Sequence, residues 1–184
     1  MSLEVAAPDS LVDPKWWMDQ PDGRDSLLVH LKLYLVQHGL AKSKDEDPER
    51  PLTADGGQAV ERVGAWASRR GLAVDEIRHS GKRRAAETAE ILGSHLGLPS
   101  GGVSAVTGLA PLDDVHPVGD GLGREKGAIM LVGHLPFLAR LAGLLLAGSA
   151  EASPVSFTNG GIVCLERGDQ GWTLAWAVPP ELVD

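Results

Sequence analysis

The sequence is poor in cysteine and in aromatic residues, and no long apolar run interrupts it. One cysteine among 184 residues excludes an intramolecular disulfide, and its place in the apolar run Ile162–Leu165 predicts a small buried core residue. No stretch approaches the roughly 18 apolar residues that a membrane-spanning helix needs, and no basic start followed by an apolar segment opens the chain. These absences predict a cytoplasmic protein with no membrane partner.

Basic residues are also in the minority. The 17 lysines and arginines are outnumbered by 25 acids, and a net charge of −8 argues against general binding of nucleic acid, which needs a basic face. The first 30 residues are the most one-sided, with six acids, two bases and no clear periodicity. We predict an irregular arm over residues 1–30, held through the pair Trp16 and Trp17 to the domain surface or to a partner, followed by a single domain over residues 31–184.

From residue 31 onward, strand and helix patterns alternate. A strand over 31–37, a helix from the N-cap Thr53 to about 69, a short strand near 77 and a helix over about 83–96 are followed by a Gly- and Pro-rich excursion over 100–125. A strand over 128–132, a helix to about 147 and a hairpin of 162–166 with 173–178 complete the pattern. The alternation predicts an α/β fold, a three-layer α/β/α sandwich whose mostly parallel sheet has an antiparallel edge hairpin.

Two histidines occupy equivalent places, because His38 and His134 each follow a strand and each lies beside a glycine. In an open α/β sheet such strand ends face one crevice, so the two imidazoles are expected to meet there. Arg50 and Arg84 lie close to the starts of the two intervening helices. Two guanidinium groups and two imidazoles predict an anion pocket, with phosphate as the natural guest and one histidine as the nucleophile.

Four segments carry a family resemblance in the same order. Leu35–Gly39 (LVQHG) resembles the Arg-His-Gly signature of the histidine phosphatase, or phosphoglycerate-mutase-like, superfamily. Arg50–Gly56 (RPLTADG) and Ser80–Ala89 (SGKRRAAETA) resemble two segments of its SixA-type phosphohistidine phosphatases, and Val132–Pro136 (VGHLP) is similar to the Gly/Ser-His-x-Pro segment. The resemblance covers about residues 31–178, and the short length favours the SixA-type subgroup over the mutases.

The resemblance implies a role for each catalytic candidate. His38 would be the nucleophile and form a phosphohistidine, Arg50 and Arg84 would clamp the phosphoryl oxygens, and His134 would stabilise the transition state. The same segments supply candidate substrate-binding residues: Gln37, Gly39, Ser80 and Lys82. No cofactor is implied. No metal is expected either, because the chain has no cysteine cluster and no helical His-x-x-x-His pair.

One position departs from the family pattern. Gln37 stands where the signature has an arginine, so its side chain can donate a hydrogen bond but carries no charge. A neutral hydrogen bond contributes roughly 0.5–1.5 kcal/mol, against about 1.5–3 kcal/mol for a charged one. Lys42, Lys82 and Arg83 are the candidate cations to compensate.

The leaving-group acid is less well marked. Asp113 and Asp114 lie in the excursion where many superfamily members have a carboxylate, although a solvated turn explains them equally well. His79 is a candidate for the pocket rim. Thr158 and Asn159 precede the penultimate strand and are candidates to line the same pocket.

The sequence therefore predicts a cofactor-independent phosphatase that works through a phosphohistidine. The leading substrate is protein phosphohistidine, as in a phosphorelay domain. Two alternatives remain: a phosphatase of small phosphate esters, and a weakened relative that uses Gln37 to bind a phosphorylated partner without hydrolysing it.

Overall fold

A computed structural model describes residues 31–183; the predicted arm over residues 1–30, with Trp16 and Trp17, and Asp184 lie outside the described residues. Six strands and four α-helices follow one another in this part of the chain. The strands are β1 (Leu31–Gln37), β2 (Glu76–His79), β3 (Val103–Ala105), β4 (Ala128–Gly133), β5 (Ile162–Gly168) and β6 (Gly171–Val178). The helices are α1 (Ala54–Arg69), α2 (Arg83–His95), α3 (His116–Leu122) and α4 (Phe137–Ala147).

The strands form one mixed sheet in the order β3-β2-β4-β1-β5-β6. The pairs β2–β3, β2–β4 and β1–β4 are parallel, whereas β1–β5 and β5–β6 are antiparallel. The last two strands are the predicted hairpin, so the predicted sheet, mostly parallel with an antiparallel edge, is confirmed. Its consequence for function is that β1 and β4 lie side by side and end together.

Both faces of the sheet are covered, as the alternation of strands and helices predicts. Leu33 and Leu35 belong to a core shared with α4, and Tyr34 and Val36 belong to a second core shared with α1 and α2. The side chains alternate because neighbouring residues of a strand point to opposite faces. The helices on the two faces make the three-layer sandwich.

The N-terminus of α1 forms as its sequence predicts. The Thr53 side chain accepts a hydrogen bond from the backbone N–H of Gly56 at 3.0 Å, and Thr53 itself is extended. At the other end, Gly71 adopts a φ of 65°, a conformation that glycine reaches without steric cost. The helix therefore begins and ends at the predicted signals.

The expectation of an irregular excursion over residues 100–125 is wrong in two places. β3 has only three residues and forms because it pairs with the end of β2. α3 contains Pro117 in its first turn and two glycines, and it lacks a side-chain cap. Its Leu122 is buried in the core below α4. Tertiary packing, rather than local propensity, therefore forms both elements.

No helix within residues 31–183 is long and apolar enough to cross a membrane.

Candidate active site

The adjoining ends of β1 and β4 bring the two predicted histidines together. Gln37 pairs with Gly133 in the parallel register, so the next residue of each strand is a histidine. The backbone N–H of His38 donates to the Gly133 carbonyl at 3.1 Å, and the ring centroids of His38 and His134 are 4.9 Å apart. The two imidazoles therefore face the same small volume at the carboxyl edge of the sheet.

The hydrogen bonds of His38 define which ring nitrogen is available. Nδ1 lies 2.7 Å from the Gly39 carbonyl oxygen, which can only accept, so Nδ1 carries the proton. Nε2 then carries the lone pair of the ring, and this lone pair accepts a hydrogen bond from Nε of Arg84 at 3.0 Å. Nε2 is thus the ring nitrogen that carries the lone pair, and it points toward a cation.

The surroundings of His38 favour its neutral form. Burial is the largest cause that lowers its pKa, the bond to the Gly39 carbonyl raises it, and the charges of Arg84 and Arg50 lower it further. The net direction is downward from 6.5. The lowered pKa favours a neutral His38 ring whose Nε2 is unprotonated at neutral pH.

His134 lies deeper than His38. Only 2% of its surface is exposed, its Nε2 lies 2.6 Å from the Ser80 hydroxyl, and its Nδ1 is buried without a hydrogen-bond partner among residues 31–183. Burial first, and then the charges of His38, Arg84, Lys82 and Arg50, lower its pKa to about 3. A neutral His134 can donate one hydrogen bond to an anion without adding charge.

Arg50 lies in the segment before α1, and its backbone conformation is unusual. Its backbone has a φ of 53°, in the left-handed region that is rare for residues other than glycine, and its Nε donates to the Lys42 carbonyl at 3.1 Å. Glu87 of α2 joins this segment by accepting the Leu52 N–H at 2.7 Å. Backbone strain of this kind is held in place by its neighbours and is concentrated at functional sites.

Arg50 and Arg84 lie close enough for their charges to interact. Burial first, and then the nearby charge of Arg50, lower the pKa of Arg84. The same two arginines lower the pKa of both His38 and His134. The site therefore has a positive potential that suits a phosphoryl group, whose charge is spread over its oxygens.

The departure at Gln37 has a structural consequence. Its Oε1 is buried and has no hydrogen-bond partner among the described residues. Of the three candidate compensating cations, Arg83 is engaged by Glu49 at 2.5 Å and Glu87 at 2.9 Å. Of the three, Lys82 is the one whose charge contributes to the lowered pKa of His134.

The two candidate acids are engaged in their own loop. The Asp113 carboxylate accepts the Ala110 N–H at 2.8 Å, and the Asp114 carboxylate lies 2.7 Å from Nδ1 of His116. No hydrogen bond within the described residues joins either carboxylate to His38 or His134.

His79 supports the loop that follows β2. The His79 Nδ1 accepts the Gly81 N–H at 3.2 Å, and burial lowers its pKa. The contact holds the turn between Ser80 and Lys82, rather than presenting His79 to a ligand.

Two side chains hold the peptide group that follows His38. The Asn159 amide donates to the His38 carbonyl at 2.9 Å, and the Thr88 hydroxyl accepts the Gly39 N–H at 3.0 Å. The sequence prediction placed Asn159 on the pocket wall and gave Thr88 no separate role. The groups they bind are backbone atoms distant in sequence, and no local pattern predicts such contacts. The only signal for Thr88 was its place in the family-like segment Ser80–Ala89.

Comparisons with known proteins agree with this geometry. Residues 33–105 match the model of the histidine phosphatase superfamily (branch 1). The chain is 26% identical over 156 residues to phosphohistidine phosphatase SixA from Escherichia coli (strain K12), covering 82% of this chain and 94% of that protein. The chain is therefore similar to the histidine phosphatase superfamily over residues 33–105 and to SixA over most of its length.

Solved structures also match most of this chain. The protein histidine phosphatase SixA complexed with tungstate matches with a TM-score of 0.72 and 25% identity, over 81% of this chain and 97% of that one. A putative alpha-ribazole-5'-P phosphatase from Escherichia coli str. K-12 substr. MG1655 matches with a TM-score of 0.68 and 18% identity, over 84% of this chain and 98% of that one. The second likeness shows the shared fold alone.

Proposed function

We propose that this chain is a phosphatase that transfers a phosphoryl group to His38 and then to water, with protein phosphohistidine as its leading substrate. The observation that carries the proposal is the state of the His38 ring. Its Nδ1 donates its proton to the Gly39 carbonyl, and its Nε2 lone pair faces Arg84. The centroid of the ring lies 4.9 Å from that of a second neutral imidazole, His134. That arrangement is a nucleophile beside a phosphate-binding group.

The reaction has two displacements. In the first, the Nε2 lone pair of His38 attacks phosphorus, and the bond from phosphorus to the leaving group breaks with its electron pair on the leaving group. In the second, water attacks the phosphohistidine, the phosphorus–nitrogen bond breaks, and Nε2 recovers its pair as inorganic phosphate leaves. Water supplies the oxygen and the protons that balance the products.

Charge neutralisation is the main task of the remaining residues. Arg84 already donates to the nucleophilic nitrogen, so an incoming phosphoryl group takes over this hydrogen bond. Arg50 adds a second positive charge, and the buried His134 supplies a neutral donor to an equatorial oxygen. Phosphoryl transfer asks a protein for positioning and for stabilisation of such charge. The mechanism uses side chains of this chain only.

A protein substrate is supported by the cleft beside Arg84 and by the SixA likeness. The cleft has a volume of about 390 Å³, and its lining residues Gly81, Lys82 and Arg83 are exposed. A phosphoryl group carried on a protein side chain can approach such an open cleft. The imidazole of a phosphohistidine substrate is also a good leaving group once its ring is protonated, which suits a site where Asp113 and Asp114 are engaged elsewhere.

The binding-only alternative has one observation in its favour. The Gln37 side chain brings no charge to the site, and its buried Oε1 has no partner among the described residues. A site with this neutral group holds phosphate through Arg84 and Arg50 and provides less stabilisation of the transition state than an arginine at that position.

Phosphate release distinguishes these functions. Wild type, His38→Ala and the control His116→Ala, which removes an exposed imidazole, are incubated with a histidine-phosphorylated phosphorelay domain and with p-nitrophenyl phosphate. We expect release from the phosphorylated domain by wild type and by the control, and none by His38→Ala. Faster release from the small ester would favour the small-molecule alternative. Binding without release by all three proteins would establish the binding-only alternative.

A further inference from the structure

The peptide group between His38 and Gly39 is held from both sides by side chains of two distant elements. Asn159, just before β5, donates its amide hydrogen to the His38 carbonyl at 2.9 Å. Thr88, on α2, accepts the Gly39 N–H at 3.0 Å. Both polar atoms of one peptide unit are thus bonded, and this unit links the nucleophile to the carbonyl that orients its ring.

Residue 39 is a glycine, and its flexible backbone explains why the hydrogen bonds with Thr88 and Asn159 are needed to restrain the peptide. A Cβ at Gly39 would lie 2.8 Å from Cγ2 of Val60 and 3.1 Å from the Gly56 carbonyl oxygen, so only glycine fits. Glycine is also the residue with the widest backbone freedom. The site therefore places its most flexible residue next to its nucleophile, and the restraint on the backbone has to come from elsewhere.

That restraint determines the reactive atom of His38. The Gly39 carbonyl accepts the Nδ1 proton at 2.7 Å, and this bond leaves the lone pair on Nε2. Rotation of the backbone around Gly39 would move the carbonyl away from Nδ1. The proton could then reside on either nitrogen, and the ring could turn away from phosphorus.

Thr88 connects the same peptide to the phosphate-binding arginine. Its hydroxyl donates to the Arg84 carbonyl at 2.7 Å while it accepts from Gly39, and Thr88 is fully buried. One hydroxyl thus spans the nucleophile segment and the first turn of α2. This contact fixes the separation between His38 and Arg84, and a small error in such a separation is costly for catalysis.

We infer that Thr88 and Asn159 are positioning residues that clamp the His38–Gly39 peptide and thereby hold Nε2 of His38 as the attacking nitrogen. The inference rests on the proposed function for its kinetic consequence, but not for its structural one. Neither residue touches the phosphoryl group. Both act through the backbone of the nucleophile.

Isosteric replacement gives the kinetic test. Thr88→Val removes the hydroxyl and keeps the shape, Thr88→Ser keeps the hydroxyl, and Ser94→Ala removes an exposed hydroxyl from the same helix as the control. With p-nitrophenyl phosphate we expect kcat of Thr88→Val to fall roughly 10- to 100-fold with KM within about threefold, because phosphate binding is retained while the nucleophile is misplaced. Thr88→Ser should recover most of the loss. Equal losses in Thr88→Val and Thr88→Ser, or a loss confined to KM, would overturn the inference.

Asn159→Ala tests the other half of the clamp at a partly exposed position, and it carries the test if Thr88→Val does not fold. Its control is Ser156→Ala, which removes an exposed hydroxyl from the same segment. Because both residues hold one peptide, the double variant Thr88→Val/Asn159→Ala should lose less than the product of the two single losses. Fully multiplicative losses would show that the two residues act separately and would overturn the clamp.

The ¹⁵N resonances of the His38 ring test the clamp without turnover. At pH 7.5 we expect wild type to show one neutral tautomer protonated at Nδ1, and the double variant to show exchange between both tautomers. If wild type has no phosphatase activity but the double variant still shows the tautomer exchange, the proposed function is refuted and the clamp is supported. An unchanged tautomer in the double variant would refute the clamp, whatever the activity.

Discussion

Acidification should destabilise the folded protein through His134. In the folded state this imidazole is 98% buried beside three cationic side chains, and its pKa is lowered to about 3, whereas in the unfolded chain it returns to about 6.5. The unfolded state therefore takes up the proton first as the pH falls. The stability that the neutral ring contributes is complete above pH 6.5 and is lost progressively as the pH falls toward 3.

The size of the effect follows from the two pKa values. A difference of 3.5 units between 6.5 and 3 corresponds to about 5 kcal/mol when the loss is complete, at about 1.4 kcal/mol for each unit. Between pH 6.5 and pH 4 the loss amounts to about 3 kcal/mol. This is a large share of the stability of a typical domain.

Urea unfolding of wild type and His134→Gln at several values between pH 7.5 and pH 4 measures this contribution. Carboxylates and other histidines titrate in both proteins, so the difference between the two curves isolates His134. We expect the free energy of unfolding of wild type to fall about 3 kcal/mol more than that of the variant over this range. Parallel curves would show that His134 is accessible to protons, and would refute the buried, neutral role assigned to it.

Three further predictions concern other parts of the chain. Gln37→Arg should raise kcat on p-nitrophenyl phosphate about 10-fold, because a charged hydrogen bond contributes about 1 to 1.5 kcal/mol more than a neutral one. Gln37→Met should give no gain, and equal rates in the two variants would contradict this prediction. The acid limb of kcat/KM should have its midpoint below pH 6.5, because the lowered pKa of His38 keeps its Nε2 unprotonated there; a midpoint above 6.5 in a pH–rate profile would contradict it. Thr53→Ala should lower the free energy of unfolding by about 1 kcal/mol through loss of the α1 cap, with Thr53→Ser near wild type; urea unfolding that shows no difference would refute the role of the cap.

The fold was predictable wherever one local signal agreed with the burial pattern. The apolar run of β1, the cap at Thr53 and the turn between β5 and β6 each specify their element in a few residues. β3 and α3 were missed for the opposite reason. A three-residue strand and a helix with Pro117 and two glycines have weak local preferences, and they form because the sheet edge and the core below α4 accept them.

The candidate site was predictable at the level of position. Strand ends in a parallel sheet meet, so the proximity of His38 and His134 follows from topology. The left-handed backbone of Arg50 and the bonds from Thr88 and Asn159 to one peptide were not predictable. They join segments 49 and 121 residues apart, and only the assembled tertiary structure defines those contacts.

Trapping the phosphorylated intermediate shows whether His38 is the nucleophile. Wild type is mixed with a ³²P-labelled phosphohistidine domain, quenched in denaturant within the first turnover, and separated from the substrate. We expect a label on wild type that is lost in acid, survives in base and is located on His38, with no label on His38→Ala. An unlabelled wild type that still releases phosphate, or an equal label on His38→Ala, would refute a phosphohistidine intermediate at His38.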